Sequence, residues 1–310
     1  MRIELQFRED EMSMNHDKIY DNRYWDAFYE ERKKAKKKRR TKRKIKKIIN
    51  TVKWISILSA VMLMATAVYF RDEIFTMQEM NDKKVIENLS EYVVSGTDRE
   101  KVKEILNHRD RYPIELLDLI NKNPETIDFV YHYPEYHDRE VKIDLSEEIK
   151  GDKVPLYLQW DERWGYAQYG GTMIAESGCG PTCLSMVASY LLKDARMNPK
   201  WMAEFSEKNG YVNETGTLWT FMTQGVRKLG LESIQIDVDE KRVRSNLEVG
   251  NPIICSVGPG DFTSEGHFIV LAGMENGKII INDPNSKKNS EKRWKFSDIE
   301  DQIKNMWIIR

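Results

Sequence analysis

A charge discontinuity constrains this chain more than any other feature of its sequence. From Arg32 to Ile48 it reads RKKAKKKRRTKRKIKKI, thirteen of seventeen residues being Lys or Arg. A block of like charge that dense repels itself, stays solvated and forms no core. Soon afterwards Trp54 to Phe70 reads WISILSAVMLMATAVYF, seventeen residues without a charge. As a helix that run rises roughly 26 Å, close to the ~30 Å of bilayer hydrocarbon. Ile48 to Val52 can lengthen it while Lys53 snorkels, and Trp54 and Tyr69 stand at its ends as interfacial aromatics do. The reading is one transmembrane helix over residues 54–70. A buried core helix is the first alternative, but it would be amphipathic and would not follow a polybasic block. A cleaved signal peptide is the second, with Ala65-Thr66-Ala67 as a small-x-small site, but the region before it exceeds fifty residues, far longer than a usual n-region.

The positive-inside rule then places the N-terminus in the cytoplasm and sends Arg71 to Arg310 outward. Residues 1–71 carry 19 basic and 9 acidic side chains, net +10, and residues 72–310 carry 30 and 41, net −11, an asymmetry hidden by the total of −1. Residues 1–53 form a cytoplasmic tail, acidic and aromatic before the polybasic run. Within it YDNRYWDAFYEER, Tyr20 to Arg32, can form a short helix offering Tyr24, Trp25 and Phe28 to a partner, although an unstructured tail is the simpler reading. Beside a membrane span the basic block faces anionic lipid, and no nucleic-acid partner is expected. Residues 71–150 read as an extracytoplasmic helical stalk or accessory region. There Pro113 and Pro124 can each start a short helix, Asn123 is a plausible N-cap, and Ile114, Leu117, Ile120, Ile127 and Val130 recur at helical spacing.

Residues 151–310 hold all three cysteines, Cys179, Cys183 and Cys255, an odd number that leaves at least one thiol free. In ESGCGPTCLSMVASYLL, Glu176 to Leu192, the apolar residues Leu184, Val187, Ala188 and Leu191 share one helical face, so a buried helix is expected from about Thr182 with Pro181 at its first turn. Cys179 would then stand at the positive end of that helix, which favours a thiolate, and Gly178 and Gly180 would leave room for a substrate backbone. Cys183 and Cys255 read as packing residues. Downstream, NPIICSVG, GHFIVLAGME and GKIIINDPN read as three strands in one antiparallel sheet, the second opened by His267 and the third closed by Asp283. A nucleophilic thiol needs a base, and the base needs a group to hold its tautomer; Cys179, His267 and Asp283 are those three types in order. Taken singly, each residue is also compatible with an ordinary structural role. A metal site of Cys179, Cys183, Cys255 and His267 is disfavoured, because Cys-x3-Cys lacks a matching second pair.

Together VPLYLQWDERWG, YGG, SGCGPT, GHFIVLAG and INDP resemble the papain-like cysteine peptidases related to the bacteriocin-processing, double-glycine-leader peptidase domains. The resemblance spans about Val154 to Arg310. It implies an α+β papain-like fold, with a nucleophile helix packed on an antiparallel sheet, behind the single N-terminal transmembrane helix. It assigns Cys179 as nucleophile, His267 as general base, Asp283 as its orienting acid and Gln159, in LQWD, as an oxyanion-hole donor. The implied activity is hydrolysis of a peptide or protein substrate through an acyl-enzyme, without cofactor or metal, by an enzyme anchored in the cell membrane with its C-terminal domain extracellular. Two other readings stay open: a catalytically silent peptide-binding or sensor module of the same fold, and a cell-wall amidase or acyltransferase using the same thiol.

Overall fold

In the computed structural model, residues 22–95, 98–214 and 216–310 are described, and they belong to two compact units, Met1–Glu79 and Met80–Arg310. The described residues of the first unit, 22–79, are all helical and belong to α1 (Asn22–Ser95), whose last residues are counted in the second unit. Residues 22–31 are therefore helical rather than an unstructured tail, and the rest of the acidic segment, residues 1–21, lies outside the described residues. The basic block stays solvated as expected but is wound into α1, because Lys and Arg are good helix formers and a helix nucleated in the adjoining apolar run propagates cheaply. Trp54, Leu58, Met62 and Phe70 are all exposed. Among the described residues this is one helix long and apolar enough to cross a membrane, a test that a signal sequence also passes.

The second unit begins with the last turns of α1 and three short helices, α2 (Arg99–Asn107), α3 (Ile114–Lys122) and α4 (Ile127–Tyr136). Their apolar stripes meet in one core: Val85 and Leu89 of α1 join Ile105, Leu117, Ile120 and Val130. Asn123 caps a single 3-10 turn at Pro124–Thr126 by accepting the Glu125 N–H at 3.1 Å, so the chain reverses between α3 and α4 without an orphaned donor. The same core takes in Trp160, Tyr166, Met173 and Ala175 from the segment leading to Cys179. The Phe129 and Tyr166 rings stack with centroids 4.2 Å apart, and the Tyr166 hydroxyl donates to the Phe129 carbonyl at 2.7 Å.

After that segment come α5 (Ile174–Ser177), α6 (Cys179–Leu192), α7 (Pro199–Lys208) and a sheet of six strands. These are β1 (Ser233–Ile236), β2 (Ile253–Val257), β3 (His267–Glu275), β4 (Lys278–Asn282), β5 (Arg293–Trp294) and β6 (Ile303–Ile309), all paired antiparallel in the order β1-β6-β2-β3-β4-β5. The three strands expected from the sequence are adjacent as expected; β6, the latest in the chain, inserts between β1 and β2. Alternation sorts the side chains to two faces. Ile254, Phe268, Val270 and Trp307 pack with Cys183, Leu184 and Val187 of α6, whereas Ile253, Cys255, Ile269 and Met306 pack with Val243 and Leu247 of α8 (Glu240–Glu248). The α6 segment can be apolar on nearly every side because ten of its residues are buried.

Candidate active site

Helix α6 starts at Cys179, three residues before the start expected from the sequence. Gly178 precedes it, and its carbonyl accepts the Thr182 N–H at 3.0 Å, closing the first turn across Pro181, whose missing N–H is harmless there. The two glycines that flank the cysteine do not make room for substrate. A Cβ on Gly180 would stand 2.6 Å from Thr217 Cγ2 and 2.7 Å from Thr217 Cβ, and one on Gly178 would stand 2.5 Å from the Ile174 carbonyl oxygen. Both are small because neighbouring chain occupies the space. Thr217 is itself fixed, its hydroxyl 2.9 Å from that of Tyr169. Gly180→Ala is therefore expected to cost about 1–3 kcal/mol of stability, read as a lower melting temperature, because the clash is with a β-carbon rather than a pliable side-chain end.

Cys179 is half-buried, and its thiol lies under the influence of His267 and of the backbone N–H groups of Phe268 and Gly180. Burial alone would raise the thiol pKa; the His267 hydrogen bond and positive charge, with the two N–H groups, reverse that and hold it below its ordinary value. His267 opens β3 and is 7% exposed, and Asp283, which follows β4, is 0% exposed. Because Val270 pairs with Asn282, the beginning of β3 lies beside the end of β4. His267 Nε2 is 2.8 Å from Asp283 Oδ1, which leaves Nδ1 for the thiol. Burial disfavours the imidazolium, but the Asp283 charge and the hydrogen bonds from Asp283 and Cys179 push the His267 pKa up to about 10. The arrangement favours a thiolate–imidazolium pair backed by a carboxylate.

Three residues with no role in the sequence reading complete this corner. Asp283 Oδ1 also accepts the Asn285 N–H at 2.9 Å, and Oδ2 accepts Asn289 Nδ2 at 2.8 Å. The Asp283 N–H donates to Ser290 Oγ at 2.9 Å. Only the Asp-x-Asn spacing hinted at this, since an Asp often accepts the N–H two residues on; the Asn289 and Ser290 contacts depend on α9 (Lys287–Glu291) folding back. Gln159 is buried beside the same loop, its N–H donating to the Pro284 carbonyl at 2.7 Å. Its Nε2 donates to the Ala175 carbonyl at 2.7 Å and more weakly to that of Glu176 at 3.4 Å, while its Oε1 is buried without a partner. Gln159 is thus in the neighbourhood of the cysteine's helix start, with its amide engaged on backbone. Cys183 and Cys255 are buried at 0% exposure, and burial pushes both thiols up. A cavity of about 630 Å³, bounded by Tyr190, Leu247, Met274 and Asn282, reaches the back of the acid's loop but neither Cys179 nor His267. Among the described residues no cluster of three or more His, Cys, Asp and Glu could hold a metal.

The family model for the Peptidase_C39 like family matches residues 152–310, slightly more than half of the chain. The chain belongs to that family. Among solved structures, this Peptidase_C39-like chain is similar to the peptidase domain of Streptococcus ComA, a bi-functional ABC transporter involved in a quorum-sensing pathway. The identity is 24% and the TM-score 0.34, over 43% of this chain and 89% of that one. It is also similar to a C39-like peptidase from Bacillus anthracis, at 15% identity and a TM-score of 0.31, over 55% of this chain and 98% of that one. No curated protein matches it. The fold of the Peptidase_C39-like region is α+β and papain-like, with helix α6 on an antiparallel sheet, as the sequence motifs imply.

Proposed function

We propose that this chain is a membrane-anchored cysteine peptidase acting outside the cytoplasm on peptide or protein substrates. One observation carries the reading: a half-buried cysteine whose thiol pKa is lowered by His267, the Nε2 of that histidine lying 2.8 Å from the fully buried Asp283 carboxylate. The Cys179 thiolate attacks the scissile carbonyl carbon, and the carbonyl electron pair moves to oxygen. The His267 imidazolium gives its proton to the leaving amine as the C–N bond breaks, forming a thioester. Neutral His267 then takes a proton from water, whose oxygen attacks the thioester and releases the carboxylic acid and the thiolate. Asp283 holds the imidazole and stabilises its charge throughout. The N–H groups at the start of α6 support the oxyanion, and Gln159 Nε2 joins them by exchanging its weak 3.4 Å contact with Glu176 for the substrate oxygen. In this reading α1 anchors the enzyme and its basic block lies against anionic lipid.

An alkylating probe at neutral pH should label Cys179 well before Cys183 and Cys255, with mass spectrometry locating the adduct. The labelling rate should fall as pH drops through the lowered Cys179 pKa, where the thiolate takes up a proton. Hydrolysis should fall again as pH rises through about 10, where His267 loses the proton destined for the leaving amine. Preferential labelling of Cys255 would overturn the assignment. Rapid labelling of Cys179 with no hydrolysis of any peptide pool would favour the silent binding module.

A further inference from the structure

The helical region before the peptidase domain reaches directly into the loop that carries Asp283. Asn123 Nδ2 donates to the Asn285 carbonyl at 2.6 Å, and Trp160 Nε1 donates to the same oxygen at 3.0 Å. The Asn285 N–H in turn donates to Asp283 Oδ1, the oxygen that faces His267. One residue turn later, Glu125 Oε1 accepts the Ser286 hydroxyl at 2.6 Å, and Oε2 accepts the Lys287 N–H at 2.9 Å. Ser286 Oγ caps α9 by accepting the Asn289 N–H at 3.1 Å, and Asn289 Nδ2 grips Asp283 Oδ2. Each carboxylate oxygen is therefore connected to the α3–α4 turn: Oδ1 through Asn285, and Oδ2 through Asn289 and Ser286 in series.

We infer that Asn123 and Glu125 are positioning residues of the active site, a two-armed latch by which the α3–α4 turn sets the orientation of the Asp283 carboxylate toward His267. The inference rests on the reading of Cys179, His267 and Asp283 as a catalytic triad. It makes the helical region a working part of the enzyme rather than a detachable stalk or propeptide. Asn123 is buried at 8% exposure, and its Oδ1 is already used to cap the turn that presents Glu125, so the two arms are built on one another. A carboxylate free to rotate would hold the imidazolium less well, because hydrogen-bond strength falls steeply with angle.

The test uses the full-length chain in detergent, with iodoacetamide as the probe of Cys179 across a pH series. Asn123→Asp keeps the size and the cap but cannot donate to Asn285; Glu125→Gln keeps the size but loses one acceptor and the charge. Each should slow labelling at neutral pH by roughly tenfold to a hundredfold and move the lower inflection of the pH profile upward, while the melting temperature shows a folded protein. The titratable groups facing His267 are Asp283 and Cys179, and those near Cys179 are His267, Tyr169 and Cys183, so the profile reports this cluster. Folded variants with wild-type rate and inflection would overturn the latch, provided Asp283→Ala moves both. If Asp283→Ala moves neither, the triad reading fails instead. Should Asn123→Asp or Glu125→Gln fail to fold, Ser286→Ala, which deletes only the hydroxyl linking Glu125 to Asn289, decides the same question.

Discussion

Cys179→Ala is expected to abolish peptide hydrolysis and His267→Ala to come close to it, each by about a millionfold in kcat, while Asp283→Ala should lose on the order of 10³ to 10⁴-fold. The ranking follows from what each change leaves behind. Without Cys179 there is no atom to carry the acyl group. Without His267 the thiol keeps its burial but loses the largest of the influences that offset it, so its pKa rises and less of it is thiolate at neutral pH. The leaving amine also loses its acid. Asp283→Ala leaves both of those groups present and costs orientation and charge, together with unpaired Asn289 and Asn285 donors that were aimed at the carboxylate. Steady-state turnover of the three variants, with melting temperatures alongside, checks the order. Asp283→Ala as damaging as Cys179→Ala in a folded protein would mean that the acid does more than orient the base.

The second large effect is an all-or-none protection pattern. With net +10 on residues 1–71 and net −11 on residues 72–310, protease added to intact cells should degrade the chain beyond Arg71 and spare an N-terminal fragment that includes residues 1–50. The physical cause is the block from Arg32 to Ile48, whose thirteen basic side chains resist transfer across the bilayer far more than the apolar run after it. Protection of the C-terminal region instead would invert the proposed topology. Loss of the N-terminal fragment from mature protein would turn the apolar run into a cleaved signal.

What could be read in advance follows from how local each signal is. Cys179, His267 and Asp283 each sit in a short pattern, a Gly-Cys-Gly-Pro helix start, a Gly-His strand start and an Asn-Asp-Pro strand end, so their types and order were visible before any fold was. The buried roles of Cys183 and Cys255 followed from periodicity. Asn123 was legible only as a cap and Glu125 drew no reading at all, because their partners Asn285, Ser286 and Lys287 lie about 160 residues away and no local pattern encodes that distance. The glycines beside Cys179 misled for a related reason: a missing side chain signals a close approach, but not whether Thr217 or a ligand makes it. Helix α6 began earlier than expected because Pro181 fits the third residue of a first turn as well as the first.

The place of β6 in the sheet bears on the order in which the fold is completed. Strand Ile303–Ile309 pairs on one side with Ile253–Val257 and on the other with Ser233–Ile236, so β1 joins the sheet only through a segment synthesised after every other strand. Contacts of such high sequence separation are slow to form, since loop-closure entropy must be met before they contribute. β2, β3 and β4 pair through short connections, whereas Trp307 reaches the core beside α6 only when β6 has paired. Completing the sheet, and with it the packing of Trp307 against α6, therefore waits on the strand whose partners lie farthest back along the chain.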